Sequence, residues 1–388
     1  MKKKTLIICS RRTKSAPRLH NIYQTLKVKY DIFIAGDSKP EYLPKNKFMD
    51  ISTKEKFLSR LKKIVALISY FLLYPIKFSH LKFLLKPNAL NLFKKVSFKK
   101  IDLVVLHHID LLPIIVYLKR KEKFKLIVNI HEYYPKEFND QNNWSIMQLY
   151  WDNLCHEFLN SVDLFLSVNQ SISNEFIKNF KVDKRKFILF PNVKEFRNLI
   201  PTTISKDKIS LVHHGAAIPS RNIELMIKLM DFLPSNFELD LILVERNPSY
   251  LKYLKSLKSS QVKFLEPIDF VDIPQLLNKY DIGLYFLKPS NLNEEYSLPN
   301  KFFEFIQARL CIAISPVKEM RNLVLKYDLG IVAEDFNLEK FAKLLSNLSI
   351  DSIKRYKQNT NKAAYNLSKD FYNEKVLNEI EMLFLNTI

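Results

Sequence analysis

Short apolar runs alternate along this chain with longer stretches whose apolar positions recur at helical spacing, a pattern that predicts parallel strands covered by helices. In the first half the runs are Leu6-Ile7-Ile8, Ile32-Phe33-Ile34, Leu103 to Leu106, Leu126-Ile127-Val128, Leu164 to Ser167 and Ile188-Leu189-Phe190. The gaps between them leave room for helical crossovers. After Phe190-Pro191-Asn192-Val193 the polar stretch Pro201 to Lys208 interrupts the alternation. It restarts with Ser210 to His214, Leu239 to Val244, Val262 to Leu265, Ile282 to Phe286, Ile312 to Ser315 and Gly330 to Ala333, followed by helical segments up to Ile388. The expected architecture is α/β, with two doubly wound, Rossmann-like domains spanning 1–195 and 196–388 and a last helix that packs back on the first. A boundary between 192 and 208 splits the 388 residues into halves of ordinary domain size. Two such sheets facing one cleft would bind ligands at the carboxyl ends of their strands. No repeat at 20 to 50 residues interrupts this reading.

Charge changes the picture in one place. Of the formal net charge of +21, the segment Ile51 to Lys100 carries an excess of +11, from twelve Lys or Arg against the single acid Glu55. The same segment holds Ile64 to Tyr74, an apolar run well short of the roughly 20 residues that span a bilayer. Adsorption to an anionic membrane surface without crossing it is the expectation, with a buried helix as the other reading. The opening Met1-Lys2-Lys3-Lys4 leads into an apolar run too short for a signal sequence. Cys9, Cys155 and Cys311 lack the spacing of a zinc site or a disulfide framework, which points to core thiols in a reducing cytoplasm. Cytoplasmic placement, peripheral on the inner face of the membrane, is the expected localisation.

Three phrases carry candidate chemistry. Ser297-Leu298-Pro299-Asn300-Lys301-Phe302-Phe303-Glu304 reads as a proline-started helix ahead of a buried strand, and backbone N–H groups at such a start suit a phosphate. Lys301 in the first turn opposes the helix dipole unless an anion is bound there. On physical grounds alone, surface charges are an equal reading of Lys301 and Glu304. His213-His214-Gly215-Ala216-Ala217-Ile218-Pro219-Ser220-Arg221 reads strand, tight turn, helix, with Gly215 allowing close backbone approach. Asn129-Ile130-His131-Glu132 directly follows a strand, where a histidine can hydrogen-bond a substrate hydroxyl or stabilise developing charge. Asp110 and Arg18, each just beyond another strand of the first half, are further candidates on the acceptor side, together with Glu132.

The first phrase resembles the nucleotide-sugar signature of the retaining glycosyltransferases of the GT-B fold, family 4, in the branch reading Pro-Asn-Lys-Phe-Phe-Glu-Tyr. The resemblance implies that Glu304 holds the donor ribose, that the backbone at Asn300 and Lys301 meets the diphosphate or sugar, and that Arg221, six residues after Gly215, neutralises the diphosphate. It implies a place for His131 near the reacting carbon, as the catalytic candidate. Departures are present: Tyr296 stands where a second glutamate is common, Ala216 where a basic residue follows the glycine, Asn129 for an aspartate, and Glu245 for a glycine. Ser10 to Arg18 has four cations and no glycine where relatives often carry a glycine-containing loop.

The expected function is therefore transfer of a sugar from a nucleotide diphosphate-sugar to a lipid-linked, lipopolysaccharide or capsule-type glycan acceptor, with retention, no cofactor and no metal. The Asp-x-Asp pattern of metal-dependent transferases has only the wrongly spaced Asp269-Phe270-Val271-Asp272 to offer. A nucleotide-sugar epimerase or an inactive transferase-like partner subunit would keep the fold. A nucleic-acid protein would fit the basic charge, yet no nucleic-acid motif is present and the phosphate-site phrases would go unexplained.

Overall fold

The computed structural model describes residues 2–10, 12–52, 91–92, 94–136, 145–205, 207–257, 259–267 and 273–385, the side chains of 145–147 excepted. The apolar run Ile64 to Tyr74, Arg11 and the Asp269 to Asp272 pair lie outside the described residues. The chain divides into two compact units. One comprises Met1–Pro135, Gln141–Phe190 and Lys375–Ile388, the other Lys136–Asp140 and Pro191–Glu374.

In the first unit the described strands are β1 (Lys4–Cys9), β2 (Asp31–Gly36), β3 (Phe48–Asp50), β4 (Leu103–Leu106), β5 (Lys125–Ile130), β6 (Leu164–Ser167) and β7 (Phe187–Leu189). They form one parallel sheet in the order β3-β2-β1-β4-β5-β6-β7. Strands β1, β4, β5 and β6 are almost wholly buried, as parallel strands between helical layers must be. The edge strand β3 escapes the sequence reading because it is three residues long and only half-buried, with no apolar run to announce it.

The second unit repeats the plan. Strands β8 (Ile209–Ala217), β9 (Phe237–Glu245), β10 (Val262–Leu265), β11 (Ile282–Tyr285), β12 (Cys311–Ile314) and β13 (Gly330–Val332) lie parallel in the order β10-β9-β8-β11-β12-β13. In both sheets strand order reverses beside the first strand, between β1 and β4 and between β8 and β11, which is where a doubly wound sheet opens a crevice for ligands. The His213 to Arg221 phrase leaves β8 at one of these switch points, the Ser297 to Glu304 phrase lies between β11 and β12, and the Asn129 to Glu132 phrase leaves β5, the strand next to β4. One expectation needs correcting: Gly215 lies inside β8, not in a turn after it, because the strand runs three residues further than its apolar run.

The helix Asn300–Gln307 is buried on nearly every side. Phe302, Phe303, Phe305 and Ile306 join one core with β11 and β12 residues. Gly283 in β11 makes the approach possible, since a Cβ there would stand 2.5 Å from the Phe305 ring. Among the described residues no helix is long and apolar enough to cross a membrane.

Candidate active site

The packing of that helix against the end of β8 brings four of the five donor-side candidates of the second unit into one cluster. Lys301 and Glu304 are not surface charges: they are 9% and 3% exposed. Lys301 Nζ lies 3.1 Å from His213 Nε2 and 4.6 Å above the centre of the Tyr285 ring. A Cβ on Gly215 would stand 3.0 Å from the same Nζ, and its φ of +133° also favours glycine. Burial and the neighbouring Arg221 guanidinium lower the Lys301 pKa to about 7, with Glu304 acting in the opposite direction. Arg221 closes the short turn Pro219–Arg221, ahead of Asn222 in the left-handed conformation and the helix Ile223–Met230. Asn300, the first residue of its helix, is exposed and stands apart from the buried charges.

Glu304 is ion-paired on one carboxylate oxygen and has an imidazole close to the other. Lys194 Nζ meets Oε1 at 2.7 Å and His214 Nε2 lies 3.2 Å from Oε2. Burial, Lys301 and Lys194 push the His214 pKa down to about 3, so a neutral ring faces the carboxylate. The two glutamates beside Tyr296 do not stand in for the absent one. Glu294 Oε2 accepts hydrogen bonds from the Ser290 N–H and hydroxyl at 2.8 Å, which ties it to its own loop, while Glu295 is exposed. Tyr296 itself is buried beneath Lys318 Nζ, 4.8 Å from its ring centre.

In the first unit the ends of β1, β4 and β5 carry a buried polar network. Arg18 Nε donates to Asn129 Oδ1 at 2.9 Å, which makes Nδ2 the donor end of that amide. Asn129 Nδ2 lies 3.2 Å from His107 Nδ1, so this nitrogen accepts. His131 Nε2 is 2.9 Å from the His107 carbonyl oxygen, which can only accept, so Nε2 carries the proton and Nδ1 the lone pair. The nearby Nδ2 to His131 Nε2 distance of 3.3 Å is then an approach of two N–H groups. Burial, His107, Arg18 and His108 hold the His131 pKa well below its usual value, so the ring is neutral. Asp110, also buried, accepts from Ser10 Oγ at 2.8 Å. Glu132 is half-buried beside the network.

The loop after β1 takes its shape without glycine. Asp37 accepts from the Arg12 and Thr13 N–H groups at 2.8 and 2.9 Å. Burial favours the neutral acid, but the bonds from Thr13, Ser38 and Arg12 prevail and keep the carboxyl below its ordinary pKa. Arg12 and Lys14 of that loop are exposed, while Arg18, in the first turn of the following helix Pro17–Leu26, is buried.

Sequence reading missed His213, Lys194, Tyr285, His107 and His108. The two pairs of adjacent histidines at strand ends were a visible signal; Lys194 had none, since it meets Glu304 across more than a hundred residues of chain. Nitrogen atoms of His107, His108 and His131 lie within 4.8 Å of one another, close enough to be weighed as metal ligands. Asn129 already engages His107 Nδ1, a carbonyl engages His131 Nε2, and the Arg18 guanidinium adds positive charge beside them, which disfavours a cation there.

Residues 24–193 match the family model described as Glycosyltransferase Family 4. No curated protein matches the sequence. Among solved structures, Anabaena Alr3699/HepE in complex with UDP-glucose is similar at a TM-score of 0.65 with 13% identity, over 98% of this chain and 99% of that one. WaaG, a glycosyltransferase involved in lipopolysaccharide biosynthesis, is similar at 0.61 with 13% identity, over 96% and 98%. A trehalose-6-phosphate protein from E. coli bound with UDP-2-fluoro glucose reaches 0.64 with 12% identity, over 97% and 98%.

Proposed function

We propose that this chain, whose residues 24–193 match the Glycosyltransferase Family 4 model and whose fold is that of GT-B glycosyltransferases, is a glycosyltransferase that moves a sugar from a nucleoside diphosphate-sugar to a glycan acceptor at a membrane surface. The observation that carries this reading is the cluster at the β8–β11 switch point. A buried amine, an arginine at the strand's exit and a glycine-lined approach suit a diphosphate, and the buried Glu304 beside them suits a pair of ribose hydroxyls. HepE and the E. coli trehalose-6-phosphate protein bind UDP-sugars in the same fold, which supports a nucleotide sugar as donor.

Lys301 and Arg221 offset the charge that develops on the leaving diphosphate, so the mechanism proposed needs no metal. The bond from the sugar's anomeric carbon to the phosphate oxygen breaks, the acceptor hydroxyl oxygen bonds to that carbon, and its proton ends on the leaving phosphate. Departure and attack on the same face would retain configuration. His131, neutral and bearing its lone pair on Nδ1, accepts a hydrogen bond from a substrate hydroxyl in this scheme. A lipid-linked or lipopolysaccharide-type acceptor agrees with the basic, apolar segment Ile51 to Lys100 and with the likeness to WaaG. Titrating the protein with a panel of nucleotide sugars, then looking for transfer to lipid-linked glycans with mass detection, tests the reading. A panel in which no nucleotide sugar binds would sink it.

A further inference from the structure

We propose that His213 is a positioning residue of the donor site: it holds the Lys301 amine over Gly215 and Tyr285, beside Arg221, ready for the diphosphate of the nucleotide sugar. The inference rests on the donor-site reading above and adds a residue and a proton to it. His213 is wholly buried, and its Nδ1 is 2.9 Å from the Leu284 carbonyl oxygen. A carbonyl only accepts, so Nδ1 carries the ring proton and Nε2 must present a lone pair. That lone pair is 3.1 Å from Lys301 Nζ. The ring is further fixed by near-parallel stacking on Tyr285, at 5.7 Å between centres and 16° between planes. The amine therefore has a hydrogen-bond acceptor on one side and an aromatic face on another.

The surroundings make this amine sensitive to an anion. Facing Lys301 are His213 and His214 from β8, Arg221 from the turn beyond it, Tyr285 from β11 and Glu304 from its own helix. Both imidazoles are kept neutral by burial and by Lys301 itself. Arg221 disfavours a second cation and Glu304 favours one, and the balance with burial leaves the amine close to half-charged at neutral pH. A diphosphate adds negative charge at the same place and draws a proton onto the amine. Donor binding is then accompanied by proton uptake above pH 7. Below about pH 6 the amine is already charged and uptake disappears.

Calorimetric titration of the full chain with UDP, GDP and dTDP, in buffers of different ionisation enthalpy at pH 6 and pH 8, reads both affinity and proton uptake. The parent is expected to take up as much as one proton at pH 8 and almost none at pH 6. Lys301→Met should abolish the uptake. His213→Phe, which keeps the ring and loses the acceptor, leaves the buried amine without its hydrogen-bond partner and lowers its pKa further, so uptake should now appear at pH 6 as well and binding weaken about 5- to 30-fold. His213→Gln places an amide oxygen near the lost nitrogen and should recover affinity to within about threefold of the parent. Parent-like affinity and uptake in a folded His213→Phe protein overturn the proposal. If that variant does not fold, a parent without proton uptake at pH 8, or uptake that survives Lys301→Met, overturns it instead. Failure of all three nucleotides to bind the parent removes the donor site as a whole, whereas binding that ignores both His213 and Lys301 removes this inference alone.

Discussion

Glu304 and Arg221 sit on different elements, a buried helix and an exposed-side turn, and both belong to the cluster proposed to bind the donor. Replacing either with alanine should weaken nucleotide-sugar binding about tenfold or more, the scale of one charge-assisted hydrogen bond, as isothermal titration would show. Parent-like affinity in both variants would remove them from the site. Glu304→Ala also leaves Lys194 without its carboxylate, so a melting curve should accompany the titration. His131 is a different case. Its alanine variant should lower turnover by about one to three orders of magnitude at saturating substrates. Because its pKa is depressed, the imidazole stays neutral on passing from pH 8 to pH 6, and turnover should show no loss from its protonation in that range. A drop centred near pH 6.5 that vanishes in the alanine variant would contradict the neutral assignment. At this scale the phrases of the sequence, Pro299 to Glu304 above all, pointed to residues that the fold gathers into one buried cluster. The sequence was silent about His213 and Lys194, because a residue that serves another residue has no spacing rule; the pairing of β8 with β11 sets His213 against Leu284, and the packing of the helix Asn300–Gln307 sets Glu304 against Lys194.

Elements were more legible than residues. The twelve apolar runs became strands because parallel strands between helical layers tend to be apolar along their length, whereas β3 had no such demand placed on it. The extent of β8 was underestimated for a related reason: its last residues, from Gly215 to Ala217, are small and carry no strand signal, yet they pair in register with Leu243 to Glu245. Gly283 ties an element to the site. An added methyl would strike the Phe305 ring and push the helix Asn300–Gln307 off the sheet. Gly283→Ala should cost about 1–3 kcal/mol of stability in chemical denaturation, the usual range for overpacking. It should also weaken donor binding, since Lys301 and Glu304 ride on that helix. A variant that loses stability but binds nucleotide sugar as the parent does would show that the helix can shift without consequence for the ligand.

For the whole molecule, the two-sheet plan was readable because the alternation of apolar and helical stretches restarts after Pro201 to Lys208. The membrane question belongs here as well. Each basic residue near an anionic leaflet contributes on the order of 1 kcal/mol, so the +11 excess between Ile51 and Lys100 should hold the protein reversibly on vesicles. In liposome flotation, binding should need anionic lipid, fall with added salt, and weaken when Lys62, Lys63, Lys94 and Lys95 become Gln. Protein that stays below the vesicles at low salt and high anionic content would remove the membrane from the proposed function and leave the donor site untouched. The passage of the chain out of the second unit and back into the first has a separate consequence, for synthesis. The returning stretch is anchored by Lys29 to Glu381 at 2.6 Å and by Lys3 over the Phe384 ring at 3.5 Å, with Ile380 fully buried. A ribosome must therefore release all of Pro191–Glu374 before the first unit receives its final helix. The unit translated first is the one completed last, and until then the surface that Ile380 will cover stays open to chaperones.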